Sequence, residues 1–319
     1  MARPPIVALE IGTSKVVALV GEIRDDGQIV IMGMGEGPST GVRKSEIIDL
    51  ENAATCVKSA LVMAEESSKV YIGQTYLAVS GGHIRSDVNS GQLRVLKDSG
   101  EISQDDEEEV VEIAKNIKLA PDRMVVHSIS QHFCIDGKLR VLRPVGMSGN
   151  VLSHDMLIIH GSRTLLENTV KVVKHLNLDV LDAGFSGLCS ALSVLTTDQK
   201  KNGAIMIDIG AGTTTYVAYA NNTIAAAGVI GVGGDHVTND IAIAFGIPTS
   251  QAEKLKRDHG SAVLSQSSNA PQKITLHPEG GFPGRVITLK ALHTVINSRM
   301  DEMLAMVKRA MAKDDILYY

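Results

Sequence analysis

The chain has no tryptophan, and all aromatic residues together make up only 3% of its 319 residues. A surface that stacks nucleic-acid bases on aromatic rings is therefore not expected. The formal net charge is −5, so no basic excess points to a phosphate backbone as partner. Cysteine is scarce as well. Cys56, Cys134 and Cys189 are odd in number and far apart, which fits neither a disulfide framework nor a metal spacing; reduced thiols in a cytoplasmic protein are expected. No apolar run approaches the ~20 residues of a membrane span, and the N-terminal MARPPIVALEIG lacks a signal design. The phosphate-loop pattern GxxxxGK[ST] is missing, and no GxGxxG leads from a strand straight into a helix. With 44% hydrophobic residues, the core must come from Val, Ile, Leu, Ala and Met. The length implies two or more domains.

What the chain does contain is one design written twice. IVALEIGTSKVVALVGEIRDDGQIVIMGMG starts at Ile6, and AIMIDIGAGTTTYVAYANNTIAAAGVIGVGG starts at Ala204. Each reads as an apolar strand ending in an acid, a glycine turn, a second strand, a polar turn and a third strand. The acids Glu10 and Asp208 are 208 − 10 = 198 residues apart, and so are Gly12 and Gly210 (210 − 12 = 198). Two copies at a fixed offset indicate duplicated lobes facing each other across a cleft, not a solenoid.

The remaining pattern is mixed α/β. Strands are predicted over Ile6–Leu9, Val16–Ile23 and Gln28–Met34, with Asp25-Asp26-Gly27 as a hairpin turn. Three- and four-residue apolar spacing predicts a helix from Glu46 to Ser67, followed by a strand over Tyr71–Val79. From Gly82 to about Ser162 the text changes. A strand over Gln92–Leu96, a helix over Gln104–Ile117 capped by Ser103, and strands over Met124–Ser130 and Leu157–His160 read as a small inserted α/β module. The acids Asp105 to Glu108 lie in the first turns of that helix and suit its dipole better than a metal. Next come a helix over Arg163–Asn177, a strand over Val180–Ala183 and a helix over Gly184–Leu195. After the second hairpin, helices are predicted near Val237–Phe245 and over Ser250–Arg257. An irregular or hairpin region follows over His259–Pro283, and a last helix runs over Leu289–Ala312. The apolar stripe of that last helix reads as core-facing.

The two turns carry the chemistry. Gripping a triphosphate takes backbone N–H donors at close range, a cation, and acids for that cation's water shell. Gly12-Thr13-Ser14-Lys15 offers a tight turn, two hydroxyls and an ammonium; Gly210-Ala211-Gly212-Thr213-Thr214 offers a more permissive turn. Mg²⁺ keeps several waters, so the carboxylates of Glu10 and Asp208 suffice to hold it. Gly233 and Gly234 precede a helix whose N-terminus favours anions. Glu253 and Lys256, one helical turn apart, taken alone read as a surface pair, and so do Arg299 and Glu302.

These motifs resemble the two phosphate motifs of the actin, Hsp70 and hexokinase superfamily. The wording around them, with Tyr76-Leu-Ala-Val-Ser-Gly81, Pro144-Val-Gly-Met-Ser-Gly149 and VIGVGGDHVTNDIAIAFGIP, is similar to the bacterial cell-division FtsA family over about residues 6 to 310. The resemblance implies an actin-like ATPase fold of two ribonuclease-H-like lobes with an FtsA-type inserted subdomain. Residues 1–82 and 163–202 would form the first lobe and 83–162 the insertion. Residues 203–235 would begin the second lobe, 236–312 would be its small subdomain, and 313–319 a tail. It further implies ATP with Mg²⁺ as ligands and Glu253 and Lys256 near the ribose and adenine. The implied partners are further copies of itself and the tail of FtsZ, in a groove holding Arg299 and Glu302. Relatives continue past this point with a Gly-Gly adenine motif and a membrane-binding amphipathic helix, so the chain is expected to be truncated and poor at membrane attachment. The implied place of action is the cytoplasmic face of the inner membrane at the division site. Where catalytic relatives orient water with a Gln or Glu, this chain has only Ser186 and Ser190, which puts hydrolysis, though not binding, in doubt. A pilus-assembly protein like PilM and a small-molecule kinase are the alternatives within the same fold; for a kinase, no convincing Asp base is found.

Overall fold

The computed structural model describes residues 4–96, 100–264, 272–278 and 280–312. The first hairpin copy is an antiparallel meander of β1 (Ile6–Ile11), β2 (Lys15–Ile23) and β3 (Ile29–Pro38). Val7, Leu9 and Ile11 alternate with exposed or half-buried neighbours, as do Val16, Ala18 and Val20, so one face of the pair enters the core. Gly27 takes φ +82° in the predicted turn, where the Asp26 carboxylate accepts from the Gln28 N–H.

The helix predicted from Glu46 begins later. Val42–Arg43 (β4) and Glu46–Ile47 (β5) form a short hairpin, and α1 runs over Leu50–Ser68. Asp49 sets that start, its side chain accepting from the Asn52 N–H. Ile47 and Leu50 both pack against the core from opposite sides of the boundary, so their helical spacing spanned two elements. Helix α1 lies on β3 at backbone contact. A Cβ at Gly35 would stand 1.8 Å from the Ala60 carbonyl oxygen, so only glycine fits there. Strand β6 is shorter than expected, Gln74–Val79, and pairs parallel with β1.

The inserted module has longer strands than its pattern suggested: β7 (Arg85–Arg94), β8 (Arg123–Ile135), β9 (Leu139–Val141) and β10 (Val151–Ser162), with α2 (Gln104–Lys115) on one face. Register shifts along β8–β10 interrupt the alternation, which hid their length. The sheet order is β7-β10-β8-β9. Ser103 caps α2 as expected, in a capping box with Asp106. The chain then returns through α3 (Arg163–His175), β11 (Asp179–Phe185), α4 (Ser186–Val194) and α5 (Thr197–Asn202). Helix α5 was not anticipated; a Thr196–Gln199 capping box starts it. Strand β11 completes the first sheet, β11-β6-β1-β2-β3.

The second copy forms a separate sheet, β12 (Ala204–Ile209), β13 (Thr214–Ala220) and β14 (Thr223–Ile230), in that order. Strand β12 is an edge, and Ile205, Ile207 and Ile209 are exposed along it. Helix α6 (Gly234–Phe245) starts at Gly234, not near Val237, because the chain after Gly233 turns directly into it. The order continues with α7 (Thr249–His259), a hairpin of β15 (Lys273–Leu276) and β16 (Arg285–Thr288), and α8 (Leu289–Ala312). The hairpin expected within His259–Pro283 is thus present, its second strand lying just beyond that stretch. Residues 265–271 and 279 of the stretch, and the tail 313–319, lie outside the described residues. Helix α8 is core-facing: Leu292, Ile296 and Met303 join α6 and α7, while Val307 and Met311 meet Tyr216, Ala218 and Ala226. Among the described residues, no helix is long and apolar enough to cross a membrane.

Candidate functional site: two phosphate loops across one cavity

The duplication extends to the hydrogen bonds. Glu10 pairs with Val17 and Ile11 with Val16; at an offset of 198, Asp208 pairs with Thr215 and Ile209 with Thr214. Each turn is closed in the same way, Gly12 N–H to the Lys15 carbonyl (3.0 Å) and Gly210 N–H to the Thr213 carbonyl (2.9 Å). Identical register puts each acid at the same place before its turn, so the two sites are equivalent in geometry as well as in wording.

The two turns face one cavity of about 210 Å³. Of the expected residues, Glu10, Gly12, Thr13, Ser14, Lys15, Asp208, Gly210, Ala211 and Thr213 line it. Gly212 lies where the copies touch: a Cβ there would stand 2.7 Å from the Thr13 hydroxyl oxygen and 2.9 Å from the Lys44 Cα. Thr214 is not in the wall. Its hydroxyl donates to the Val232 carbonyl (2.8 Å) and ties β13 to the loop before α6, and Thr215 lines the cavity in its place. Burial first, and then the charge of Asp208, push the Glu10 carboxyl above its ordinary range, with Lys15 partly offsetting them. Lys15 is itself paired with Glu36 (3.1 Å) on an exposed strand surface. Two crowded carboxylates beside hydroxyls and backbone N–H groups suit a hydrated divalent cation with a phosphate chain. Among the described residues, no cluster of three or more His, Cys, Asp or Glu side chains could hold a metal on its own.

Gly233 and Gly234 back the second turn. Gly234 N–H donates to the Gly210 carbonyl and Asp235 N–H to the Ala211 carbonyl, both at 2.9 Å. A Cβ at Gly233 would stand 2.5 Å from each of those carbonyl oxygens. Glu253 and Lys256 reach the same place from α7. The Lys256 ammonium donates to the Gly234 carbonyl (3.1 Å) and the Thr238 hydroxyl (2.8 Å), and pairs with Glu253 (2.6 Å). Burial opposes ionisation of Glu253, but hydrogen bonds from Lys256 and Thr238, with the charges of Lys256 and Arg257, hold its carboxyl below the ordinary range. The pair is therefore more than a surface contact. Arg299 and Glu302 are elsewhere, on α8. Arg299 grips both carboxylate oxygens of Asp240 on α6 (2.5 and 2.9 Å) and also bonds Glu302.

Four cavity residues were missed as binding groups by sequence reasoning: Thr215 on β13, Ser45 in the β4–β5 turn, Ser80 after β6, and Ser186, which was considered only for a missing catalytic role. Their one signal, a hydroxyl residue near the end of a strand or in a turn, is too common to single them out.

Comparison with known proteins decides the family. The model for cell division protein FtsA matches residues 205–314, and that for the SHS2 domain inserted in FtsA matches residues 81–160. FtsA of Escherichia coli K12 is 37% identical over 96% of this chain and 72% of its own length. The Pseudomonas aeruginosa protein is 35% identical over 95% and 72%. The chain belongs to the FtsA family. Its fold is actin-like, as solved structures show. The MreB5 protein of Spiroplasma citri, solved with ADP, superposes with a TM-score of 0.54 at 15% identity, covering 97% of this chain and 81% of that one. The form with AMPPNP gives 0.55 at 15% identity, covering 98% and 82%. A PilM–PilN pilus biogenesis complex gives 0.57 at 17% identity, covering 80% and 70%. The pilus reading is the weaker one, since that likeness extends to fold alone while the FtsA likeness extends to sequence along nearly the whole chain.

Proposed function

We propose that this FtsA-family chain binds ATP with Mg²⁺ between its two hairpin copies. In this reading it acts as an actin-like division protein that assembles with copies of itself and tethers FtsZ to the cytoplasmic face of the inner membrane, recruiting further division proteins. The observation that carries the nucleotide reading is the shared register of the two turns across one cavity, each behind a carboxylate. Glu10 and Asp208 would hold the cation through its waters. The N–H groups and hydroxyls of Gly12 to Lys15 and Gly210 to Thr213 would hold the phosphates. The cavity is smaller than a whole nucleotide needs, so ribose and base would lie outside it, toward Gly233, Gly234, Glu253 and Lys256. The domain limits expected above are part of this proposal.

Mg·ATP, when bound, would supply phosphate charge and a cation; Glu10, Asp208 and the two turns, holding one ligand from both sides, would bring the lobes together. What the residues themselves do is bind and orient. Ser186 is the wall residue at the start of α4, and among the described residues no Gln, and no Glu besides Glu10, lines the cavity to position an attacking water. Hydrolysis is therefore expected to be slow, with binding itself shifting the population toward a closed form. A small-molecule kinase reading gains nothing from the geometry, because the acids that line the cavity, Glu10 and Asp208, would both be taken up by the cation, which leaves no acid as base.

Titration calorimetry with ATP, with and without Mg²⁺, tests the reading. Magnesium-dependent binding lost in Asp208→Asn supports it, and no binding by the unaltered chain overturns it. For the partner, Arg299 and Glu302 on α8 would contact the FtsZ tail. Asp240 fixes the Arg299 side chain, so Arg299→Ala should weaken binding of an FtsZ C-terminal peptide by tenfold or more, read by fluorescence anisotropy.

A further inference from the structure

Of the hydroxyls that line the phosphate cavity from outside the duplicated turns, two stand out by their hydrogen bonding. The first belongs to Ser80, directly after β6. Glu10 pairs with Ala78 across β1 and β6, so Ser80 stands level with Gly12 at the ends of neighbouring parallel strands. Ligands of open α/β sheets bind at these strand ends. Ser80 lines the cavity, yet its hydroxyl is buried and has no hydrogen-bond partner among the described residues. A buried hydroxyl left unsatisfied costs stability, and native structures keep few of them.

The second belongs to Ser45. Lys44 and Ser45 join β4 to β5 with φ of +51° and +60°. Two consecutive non-glycine residues in left-handed backbone are strained, and something must hold them there. The holding contacts come from both copies. The Ser45 N–H donates to the Thr13 hydroxyl at 2.9 Å, and the Ser45 hydroxyl lies 3.3 Å from that of Thr213. The second contact is long for a hydroxyl pair, so this hydroxyl can exchange it for a charged acceptor at little cost.

We propose that Ser80 and Ser45 bind the terminal phosphate of a nucleoside triphosphate and let the site tell triphosphate from diphosphate. The inference rests on the nucleotide reading above. Ser80 belongs to the first sheet, level with Gly12, whereas Gly233, Gly234 and Lys256 close the opposite side behind Gly210. With the nucleoside on the α6–α7 side, the phosphate farthest from it meets Ser80. The Ser45 hydroxyl sits where the two turns meet.

The test measures dissociation constants for Mg·ATP and Mg·ADP, together with the melting temperature without nucleotide, for the unaltered chain, Ser80→Ala and Ser45→Ala. Expected for Ser80→Ala is a ligand-free melting temperature equal to or above that of the unaltered chain, because an unsatisfied hydroxyl has been removed. ATP affinity should fall about tenfold or more, the scale of a hydrogen bond to a charged group, with ADP affinity within about twofold. Ser45→Ala should show the same preferential loss of ATP. An unchanged ATP-to-ADP ratio in both variants, with the unaltered chain still binding nucleotide, overturns this inference and leaves the nucleotide reading intact. So does a Ser80→Ala chain that melts lower and loses ATP and ADP in proportion. If the unaltered chain binds neither nucleotide, the nucleotide reading itself falls, and this inference with it.

Discussion

Glu10 shows how one side chain links stability to ligand binding. Burial and the Asp208 charge raise its folded-state pKa above the ordinary value of 4.5. A carboxyl raised on folding stabilises the fold below its unfolded value and loses that contribution as pH rises through its folded value. As pH rises, the burial of the Glu10 carboxylate therefore works against the ligand-free fold. Glu10→Gln should raise the ligand-free melting temperature at pH 7, lose that advantage below about pH 4, where the unfolded carboxyl also protonates, and remove the magnesium dependence of ATP binding. Thermal melts at both pH values beside calorimetry check this. His83 carries the opposite sign. Burial first, and then the Arg123 charge, lower it from 6.5 to about 4, and its neutral Nδ1 accepts from the Ser162 N–H at 3.1 Å. Its contribution is full above pH 6.5 and is lost as pH falls toward 4. His83→Gln should flatten the loss of melting temperature over that window.

At the scale of elements, glycine and capping residues set where helices sit. Gly35 lets α1 lie directly on β3, and any side chain there meets the Ala60 carbonyl. Gly35→Val should cost about 3 kcal/mol or more by overpacking, read as a lower urea midpoint. Asp49→Ala removes the α1 cap and should cost about 1 kcal/mol. These elements were unevenly legible. The helix from about Leu289 was readable because one apolar stripe persists through its described residues. The β4–β5 hairpin was not, because Lys44 and Ser45 carry no Gly or Asn signal for positive φ, and distant contacts with Thr13 and Thr213 help to hold them in it. Strands β8 and β10 of the inserted module were read too short because register shifts break the two-residue period.

For the whole molecule, the question is what joins the parts. The inserted module meets the first sheet through His127 on β8, whose Nε2 accepts from the Phe185 N–H on β11 (2.9 Å). It meets the second sheet through Ser86, whose hydroxyl donates to the Ala227 carbonyl (2.6 Å) and accepts from its N–H (3.2 Å). Closure on nucleotide would thus reach the module through β14. Hydrogen exchange with and without Mg·ATP should show protection at residues 43–46, at the start of α6 and along β14, with little change in α2. Uniform exchange in all four would speak against closure.

The sequence by itself determined the two hairpins, their acids and the 198-residue offset, because strand alternation and glycine turns are encoded within about thirty consecutive residues. It also carried the family, through wording kept along nearly the whole chain. Only the tertiary structure decided that the turns face one cavity, that Thr214 points away from it while Thr215 lines it, and that Ser45 and Ser80 complete its wall. The physical reason is separation. Ser45 and Thr213 are 168 residues apart, and no local pattern records which distant hydroxyl a folded chain brings within reach of another.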